Sequence, residues 1–542
     1  METTHNYLFV SDFHLSEGRD PATGRYSRNE DFFHDEAFAR FLAYHVNLSW
    51  RYDAAVHFRK PWKLIINGDL FDFLQVASLP QEGQELMAVC GRRSYQELSA
   101  NERQYGLGTG AGETVWKLKR IAAGHPLFFQ ALAWFLAHDQ YELVVLKGNH
   151  DIEISWWDVQ QCFIQTLVAA YDGWYQTADN LALAECPLVY HEGLPPRLTE
   201  VAVRAAVHFP VASYGEKGLF YVEHGSQYDP ANAFEDFEDP VLPDNPDLIE
   251  LPSGSLFVRY LFNAVEDVHP FADNLKPLSR YFVWVLRHAP SALVMFLTRL
   301  VPRYIVSVAE LEKKKAKDAL RRMRGETRPA RLDRAPPTEF ERGVMEAQER
   351  LRQRLNLQAK GVTVGMLLSV AMVAAVVLLL LQAVRAYTSA QYGEMAGSVL
   401  TAVFFILAAS WLSRQLDRLL ESPYLLEAAE AVRGLLIQHP DHDLGQVPYF
   451  LFGHNHQADV REIGRDQAGH PHGSRQWYVN TGAWIPVFSE EQRLLREDVQ
   501  LTFFRLVPGM PDFGHGMPEL YQWSPEADRP LLVRLFSPDH QR

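Results

Sequence analysis

The sequence predicts an α/β fold that is interrupted by a large helical insertion. Short apolar runs such as YLFV, LIIN and LVVL each end in polar or glycine residues, as buried strands do when their C-terminal loops carry a site. Between residues 226 and 446 the sequence becomes helix-like, and strand-like runs return at YFLFGHN and QWYVNTGAW. We therefore expect a first core part at 1–225, an insertion at 226–446 and a second core part at 447–542.

The composition limits the classes of function. A net charge of −15 argues against a protein that coats nucleic acid, so no nucleic-acid partner is expected. Three widely spaced cysteines without a CxxC motif (Cys90, Cys162 and Cys186) indicate reduced, structural thiols. The first residues lack the basic and apolar regions of a signal peptide, so we expect no export.

Two apolar runs in the insertion predict a transmembrane hairpin at about 361–384 and 395–412. Helices of these lengths reach ~36 Å and ~27 Å, and the second value is near the lower limit for a bilayer. Basic residues flank the pair on both outer sides, which places both flanks in the cytoplasm. We expect a multi-pass protein of the cytoplasmic (inner) membrane with the lipid bilayer as a partner and the catalytic domain on the cytoplasmic side. A hairpin buried in a soluble core is the alternative.

Five short motifs with metal-binding residue types each follow an apolar run. The motifs DFH, GDLFD, GNHD, HG and GHNH contain Asp12, His14, Asp69, Asp72, Asn149, His150, Asp151, His224, His454 and His456. Each motif is weak alone, because DxH recurs at 267–269 and HxH at 470–472 without a preceding strand. Together the motifs supply carboxylates, imidazoles and an amide oxygen, a ligand set that suits manganese, iron or zinc.

This joint pattern resembles the calcineurin-like metallophosphoesterase superfamily from Asp12 to His456. The resemblance implies a two-sheet β-sandwich flanked by helices, with the ligands in loops at strand ends. It also implies two divalent metal ions, with manganese as the expected metal and iron or zinc as alternatives. The implied ligands form two sets around a bridging carboxylate: Asp12, His14 and His456 for one ion, Asn149, His224 and His454 for the other, and Asp69 for both.

The resemblance implies hydrolysis of a phosphomonoester, a phosphodiester or a pyrophosphate by attack of a metal-bridging hydroxide. An oxygen held between two cations loses a proton near neutral pH, and the cations neutralise the phosphoryl charge. By the same resemblance, His150 contacts the substrate and protonates the leaving oxygen or stabilises charge, and Asp151 orients it. We expect Asp72 to support a ligand rather than to bind the metal.

The motifs also narrow the substrate. GDLFDF and GNHD differ from the GDxxDRG and GNHE of protein serine/threonine phosphatases, so that branch is not expected. YVNTGAW and an insertion before GHNH are similar to bacterial enzymes of the UDP-2,3-diacylglucosamine pyrophosphohydrolase type, which have Arg in place of His150. This similarity gives an alternative to the general phosphoesterase, a lipid or nucleotide-sugar pyrophosphohydrolase of envelope metabolism, for which the substrate could be lipid-linked. The alternative from another class is a non-catalytic membrane scaffold with a structural metal site.

Overall fold

The computed structural model describes residues 5–48, 56–178, 187–188, 196–229, 231–242, 245–263, 378–420, 424–438, 447–465, 475–488, 497–508 and 517–533, and a few single helical residues between 306 and 376. The strands are β1 Asn6–Val10, β2 Trp62–Asn67, β3 Glu142–Leu146, β4 Val207–His208, β5 Ser213–Glu216, β6 Phe220–Glu223, β7 Val241–Leu242, β8 Asn245–Ile249, β9 Tyr449–Phe452, β10 Asp459–Arg465, β11 Arg475–Asn480, β12 Pro486–Phe488, β13 Glu497–Val499, β14 Thr502–Leu506, β15 Leu520–Ser524 and β16 Arg529–Leu532. The α-helices with complete bounds are α1 Asp35–Val46, α2 Gln84–Cys90, α3 Ala100–Tyr105, α4 Ala111–Gly124, α5 Pro126–Leu136, α6 Trp157–Ala178, α7 Glu200–Ala206, α8 Ser253–Phe257, α9 Tyr392–Leu420 and α10 Tyr424–Gln438.

The larger sheet joins the two ends of the described chain. Its seven strands lie in the order β16-β15-β14-β1-β2-β3-β4. The strands from β1 to β4 are parallel, and β14, β15 and β16 run antiparallel to their neighbours. Parallel strands present their carboxyl ends at one edge of the sheet, so the loops after β1, β2 and β3 meet there.

The smaller sheet has five strands in the order β10-β11-β9-β6-β5. Its central strands β6, β9 and β11 are parallel, and the edge strands β5 and β10 are antiparallel to their neighbours. The carboxyl ends of β6 and β9 therefore also lie at a common edge. Both sheets are mixed, and the structure has the predicted α/β class.

The two sheets pack face to face, and helices cover their outer faces. In β1, Tyr7 and Phe9 pack between the sheets, whereas Leu8 and Val10 pack toward the helices. Burial on both faces explains why this strand is a continuous apolar run rather than an alternating one. The smaller sheet is covered by α10, whose Leu425, Ala429 and Val432 contact the β9 face.

Helices α4 and α5 meet at a buried histidine. Pro126 occupies the first turn of α5, where its missing N–H costs no hydrogen bond. His125, just before it, is fully buried, with Nε2 3.2 Å from a Glu30 oxygen and Nδ1 3.1 Å from an Asp35 oxygen. Glu30 also accepts hydrogen bonds from the backbone amides of Gly18 and Phe32. This imidazole therefore joins the helices to the long loop that follows β1.

The predicted transmembrane hairpin is wrong. Within the described ranges, no helix is both long enough and apolar enough to cross a membrane. Most of the first run, 361–384, lies outside those ranges, and the second run, 395–412, is part of the longer helix Tyr392–Leu420. That run was at the lower limit of length, and its helix continues into the charged residues Arg414, Asp417 and Arg418. The expected multi-pass localisation in the inner membrane depended on these two spans and is corrected with them.

Candidate metal centre

The strand ends bring the five motifs together. Each predicted ligand lies in the loop that directly follows a parallel strand: Asp12 and His14 after β1, Asp69 after β2, Asn149 after β3, His224 after β6, and His454 and His456 after β9. Six of these side chains are buried, and His456 is partly exposed. Residues that are more than 400 positions apart in the chain are in contact here.

Five of the seven predicted ligands have a left-handed backbone conformation. The φ angles are 54° at Asp12, 49° at His14, 50° at Asp69, 71° at His454 and 60° at His456. This conformation is uncommon for residues other than glycine, and such strain costs roughly 1–3 kcal/mol per residue. The surrounding structure must hold these backbones in place, as it does in many functional sites.

Asp12, His14 and His456 form one candidate group. Their ligand atoms lie within 4.8 Å of one another. His14 Nε2 is 3.2 Å from His456 Nε2, and His456 Nε2 is 3.4 Å from an Asp12 oxygen. Two imidazole nitrogens on one tetrahedral ion at ~2.05 Å would be roughly 3.3 Å apart, so the observed spacing suits a shared ion.

Asp69, His224 and His454 form a second group. His224 Nδ1 lies 2.7 Å from the carbonyl oxygen of Asn67, which can only accept, so Nδ1 carries the proton and Nε2 faces the site. Nε2 is 3.1 Å from an Asp69 oxygen. Burial opposes a charge on His224, but the Asp69 carboxylate prevails and raises its pKa to about 9. The pocket thus favours a positive charge at this position, which an ion would supply in place of the proton.

Asp69 belongs to both this group and a third, which contains His14 and His150. One carboxylate oxygen accepts the backbone N–H of His150 at 2.9 Å, and the other is 3.1 Å from His224 Nε2 and 3.7 Å from His14 Nε2. Although burial opposes ionisation, His224 and His150 hold the pKa of Asp69 well below its usual range. Asp69 is therefore an anionic side chain between the two sets of imidazoles.

One predicted ligand has a buried oxygen that a cation would satisfy. Asn149 Oδ1 is inaccessible to solvent and has no hydrogen-bond partner among the described residues. An acceptor left in this state costs about 1–3 kcal/mol, so such atoms are rare in folded proteins. The His and Asp groups can hold a metal ion, and a cation is one partner that the Asn149 oxygen could accept.

Two motif glycines are required because ligands pack against them. A Cβ at Gly148 would overlap the carboxylate of Asp69, and a Cβ at Gly68 would overlap the imidazole of His224. Gly68 also has a φ of 81°, which favours glycine by itself. In the GD pair, Gly68 leaves space for the imidazole of His224 beside Asp69. In the GN pair, Gly148 leaves space for the carboxylate of Asp69 beside Asn149.

His150 is paired with Asp72 and not with its chain neighbour Asp151. His150 Nδ1 lies 2.6 Å from an Asp72 oxygen, and the same oxygen is 3.4 Å from His14 Nδ1. The Asp151 carboxylate instead accepts backbone hydrogen bonds from Gly148 at 2.6 Å and Leu70 at 2.8 Å. The orienting contact that we expected from Asp151 is therefore made by Asp72, while Asp151 fixes the loops that carry Asp69 and Asn149.

Asp229 is a site residue that the sequence analysis missed. A 3₁₀ turn at Ser226–Tyr228 brings its carboxylate to 3.0 Å from His454 Nε2. The same carboxylate accepts a hydrogen bond from the Asn232 amide at 2.9 Å. Its position five residues after His224 in HGSQYD was the available signal, but this spacing belongs to none of the five motifs.

Comparison of the chain with protein-family models, with curated proteins and with solved structures finds no match. The two motif-like pairs at 267–269 and 470–472 lie outside the described residues. The candidate metal centre is therefore defined by its own geometry: five loops and three overlapping groups of His and Asp side chains, two of which share Asp69.

Proposed function

We propose that this protein is a dinuclear-metal phosphoesterase that hydrolyses a phosphomonoester, a phosphodiester or a pyrophosphate. The observation that carries the proposal is the position of Asp69, which shares one group of ligand atoms with His14 and another with His224 and His454. A carboxylate has two oxygens and can serve two ions at once. Two adjacent cations can neutralise the charged oxygens of a phosphoryl group, so a phosphate ester suits such a site.

The seven predicted ligands would hold two divalent ions, with manganese first and iron or zinc as alternatives. Asp12, His14 and His456 would hold one ion, and Asn149, His224 and His454 the other, with Asp69 shared. When bound, such ions acidify water and neutralise charge on the transferred phosphoryl group. The chain's own part is to fix the ligands: the backbone conformation at Asp12, His14 and Asp69 sets their directions before any ion arrives.

His150 is the proposed proton donor to the leaving oxygen. Its side chain is 12% exposed, so a substrate can reach it, whereas Asp72 is fully buried behind it. Although burial opposes ionisation of Asp72, His150 and His14 hold the pKa of this carboxyl well below its usual range. The Asp72 carboxylate therefore remains an acceptor for Nδ1 and stabilises the charged imidazole, which leaves Nε2 to exchange a proton with the substrate.

Hydrolysis of p-nitrophenyl phosphate and bis(p-nitrophenyl) phosphate by the purified full chain with Mn²⁺ tests the proposal directly. We expect Asp69→Asn to abolish turnover and to lower metal content, because the shared ligand loses its negative charge and one of its two oxygens. Asp158→Asn is the matched control, since Asp158 is exposed on α6 and touches none of the ligands. Full metal content and normal turnover in Asp69→Asn would remove this site from the reaction.

His150→Ala separates chemistry from metal binding. The variant should keep most of its metal and lose ~100-fold or more in turnover, as expected for a general acid. The loss should be larger for an ester with a poor leaving group, which needs the proton more. A wild-type protein that binds Mn²⁺ but turns over none of these esters would instead be a scaffold with a structural metal site.

A further inference from the structure

The turn that carries Asp72 is held by side chains from three separate parts of the chain. Three consecutive carbonyl oxygens in this turn each accept one side-chain hydrogen bond: Phe73 from Lys117 Nζ at 3.1 Å, Leu74 from Asn263 Nδ2 at 2.8 Å, and Gln75 from Asn29 Nδ2 at 3.2 Å. All three donors are buried. The turn itself is buried, so each of these carbonyls needs a partner, and here each partner is a side chain from elsewhere in the chain.

The turn determines where the Asp72 carboxylate lies. Its Oδ1 atom accepts the backbone N–H groups of Leu74 and Gln75, both at 3.0 Å. Its Oδ2 atom is the one that lies 2.6 Å from His150 Nδ1. The backbone N–H of Phe73 also donates to the carbonyl of His150 at 3.3 Å. A displacement of the turn would therefore move both the carboxylate and the backbone that hold the imidazole.

The middle donor, Asn263, belongs to the insertion and not to the core. It follows α8 and a π-helical turn at Val258–Phe262, a rare geometry that is frequent at functional sites. The Asn263 carbonyl accepts a hydrogen bond at 2.8 Å from Arg28, which lies in the loop after β1. Arg259, in the same helical segment, donates to the carbonyls of Gly106 and Leu107 and so docks the segment on a different loop.

We infer that Asn263 is a positioning residue for the catalytic imidazole, so that the insertion helps to assemble the site. The inference rests on the proposed function. The chain of contacts runs from the Asn263 amide to the Leu74 carbonyl, through the turn to Asp72, and from Asp72 to His150. Without the amide, the buried Leu74 carbonyl loses its donor and the turn can shift to find another one, which misaligns the imidazole with the leaving oxygen.

Kinetics of the metal-loaded full chain test the inference. Asn263→Leu should lower kcat about 10-fold with little change in KM, because it misaligns the proposed proton donor and leaves every proposed metal ligand in place. Metal content should equal that of the wild type, since no ligand contacts Asn263. Asn263→Gln retains an amide donor and should recover part of kcat. Gln165→Leu makes the same amide-to-leucine change at an exposed position of α6 and is the matched control, with wild-type kcat expected.

A double-variant comparison distinguishes positioning from general loss of structure. In a His150→Ala background, Asn263→Leu should cause no further loss of kcat, because the group it positions is absent. An equal loss in both backgrounds would overturn the inference, as would a wild-type kcat in Asn263→Leu or an equal loss in Gln165→Leu. If Asn263→Leu is poorly folded, Asn263→Ser carries the same comparison. A wild-type protein without turnover would overturn the proposed function, and this inference with it.

Discussion

The buried ion pair network at His125 should make the stability of the protein fall as the pH rises above neutrality. His125 and Glu30 are fully buried, and Asp35 is 18% exposed. Burial opposes the charged imidazole, but the Glu30 and Asp35 carboxylates more than offset it and raise the pKa of His125 to about 10. Since the folded pKa is raised above the unfolded value of 6.5, the stabilisation is complete below pH 6.5 and is lost as the pH rises through 10.

The size of the effect follows from the shift. One pKa unit corresponds to about 1.4 kcal/mol, so the free energy of unfolding should fall by up to this amount per pH unit between the two pKa values. Between pH 7 and pH 9 the full loss would be about 2.5 kcal/mol. Partial exposure of Asp35 screens its share, so we expect about 2 kcal/mol from this one residue.

Urea unfolding at pH 6, 7, 8 and 9, followed by tryptophan fluorescence, measures this loss. His125→Gln should be less stable than the wild type at pH 6, and the difference should shrink by about 2 kcal/mol between pH 7 and pH 9. All other titrating groups are common to both proteins and cancel in the difference. His138→Gln is the control, because it changes another buried histidine, whose ring contacts the Trp134 carbonyl at 2.9 Å. A difference between wild type and His125→Gln that is constant from pH 6 to pH 9 would refute the reasoning.

Three further predictions concern the metal centre and the sheets. Gly148→Ala should lower the Mn²⁺ content of the purified protein, because the added methyl group overlaps the Asp69 carboxylate. Gly173→Ala, whose added methyl group meets open space, should keep the wild-type Mn²⁺ content, and equal contents in the two variants would contradict this. Asp229→Asn should weaken Mn²⁺ binding about 10-fold in a calorimetric titration, since a ligand imidazole loses its anionic partner; an unchanged affinity would exclude this role. Lys63→Met should destabilise the fold by about 3 kcal/mol at pH 7, because Glu142 and Glu216 lose their shared cation. His208 and Lys63 lower the pKa of Glu142 to about 2, so most of the difference between the urea midpoints of variant and wild type should remain at pH 4 and be lost only as the pH falls toward 2. Midpoints that already coincide at pH 4 would speak against it.

The positions of the ligands could be predicted because they depend on chain order and strand geometry. A polar residue directly after a buried parallel strand can only lie at the carboxyl edge of the sheet, so Asp12, Asp69 and Asn149 had to come near one another once β1, β2 and β3 paired. The partner of His150 could not be predicted in the same way. Asp72 and Asp151 are both close enough in principle, and the choice depends on a turn whose shape is set by donors from distant segments.

Hydropathy failed in the insertion for a related reason. An apolar run indicates only that its residues avoid water, and the number of consecutive uncharged residues decides whether its helix can span a bilayer. The run at 395–412 is continued by charged residues within the same helix, a feature that a window over the apolar residues alone omits. Asp229 was missed because its contact with His454 depends on one 3₁₀ turn, which no hydrophobic period records.

The pairing of β1 with β14 has a consequence for how the protein is made. Tyr7 pairs with Leu506, a separation of about 500 residues. The central strand of the larger sheet therefore cannot complete its pairing until one of the last strands of the chain has been synthesised. At a synthesis rate of roughly 5–20 residues per second, that partner leaves the ribosome about 25–100 s after β1 does. During this interval β1 has an unpaired edge in a strongly apolar strand, which is a template for association with other chains. We expect the nascent protein to depend on a chaperone, and a ribosome stalled before residue 500 to carry a β1 that proteases can cleave.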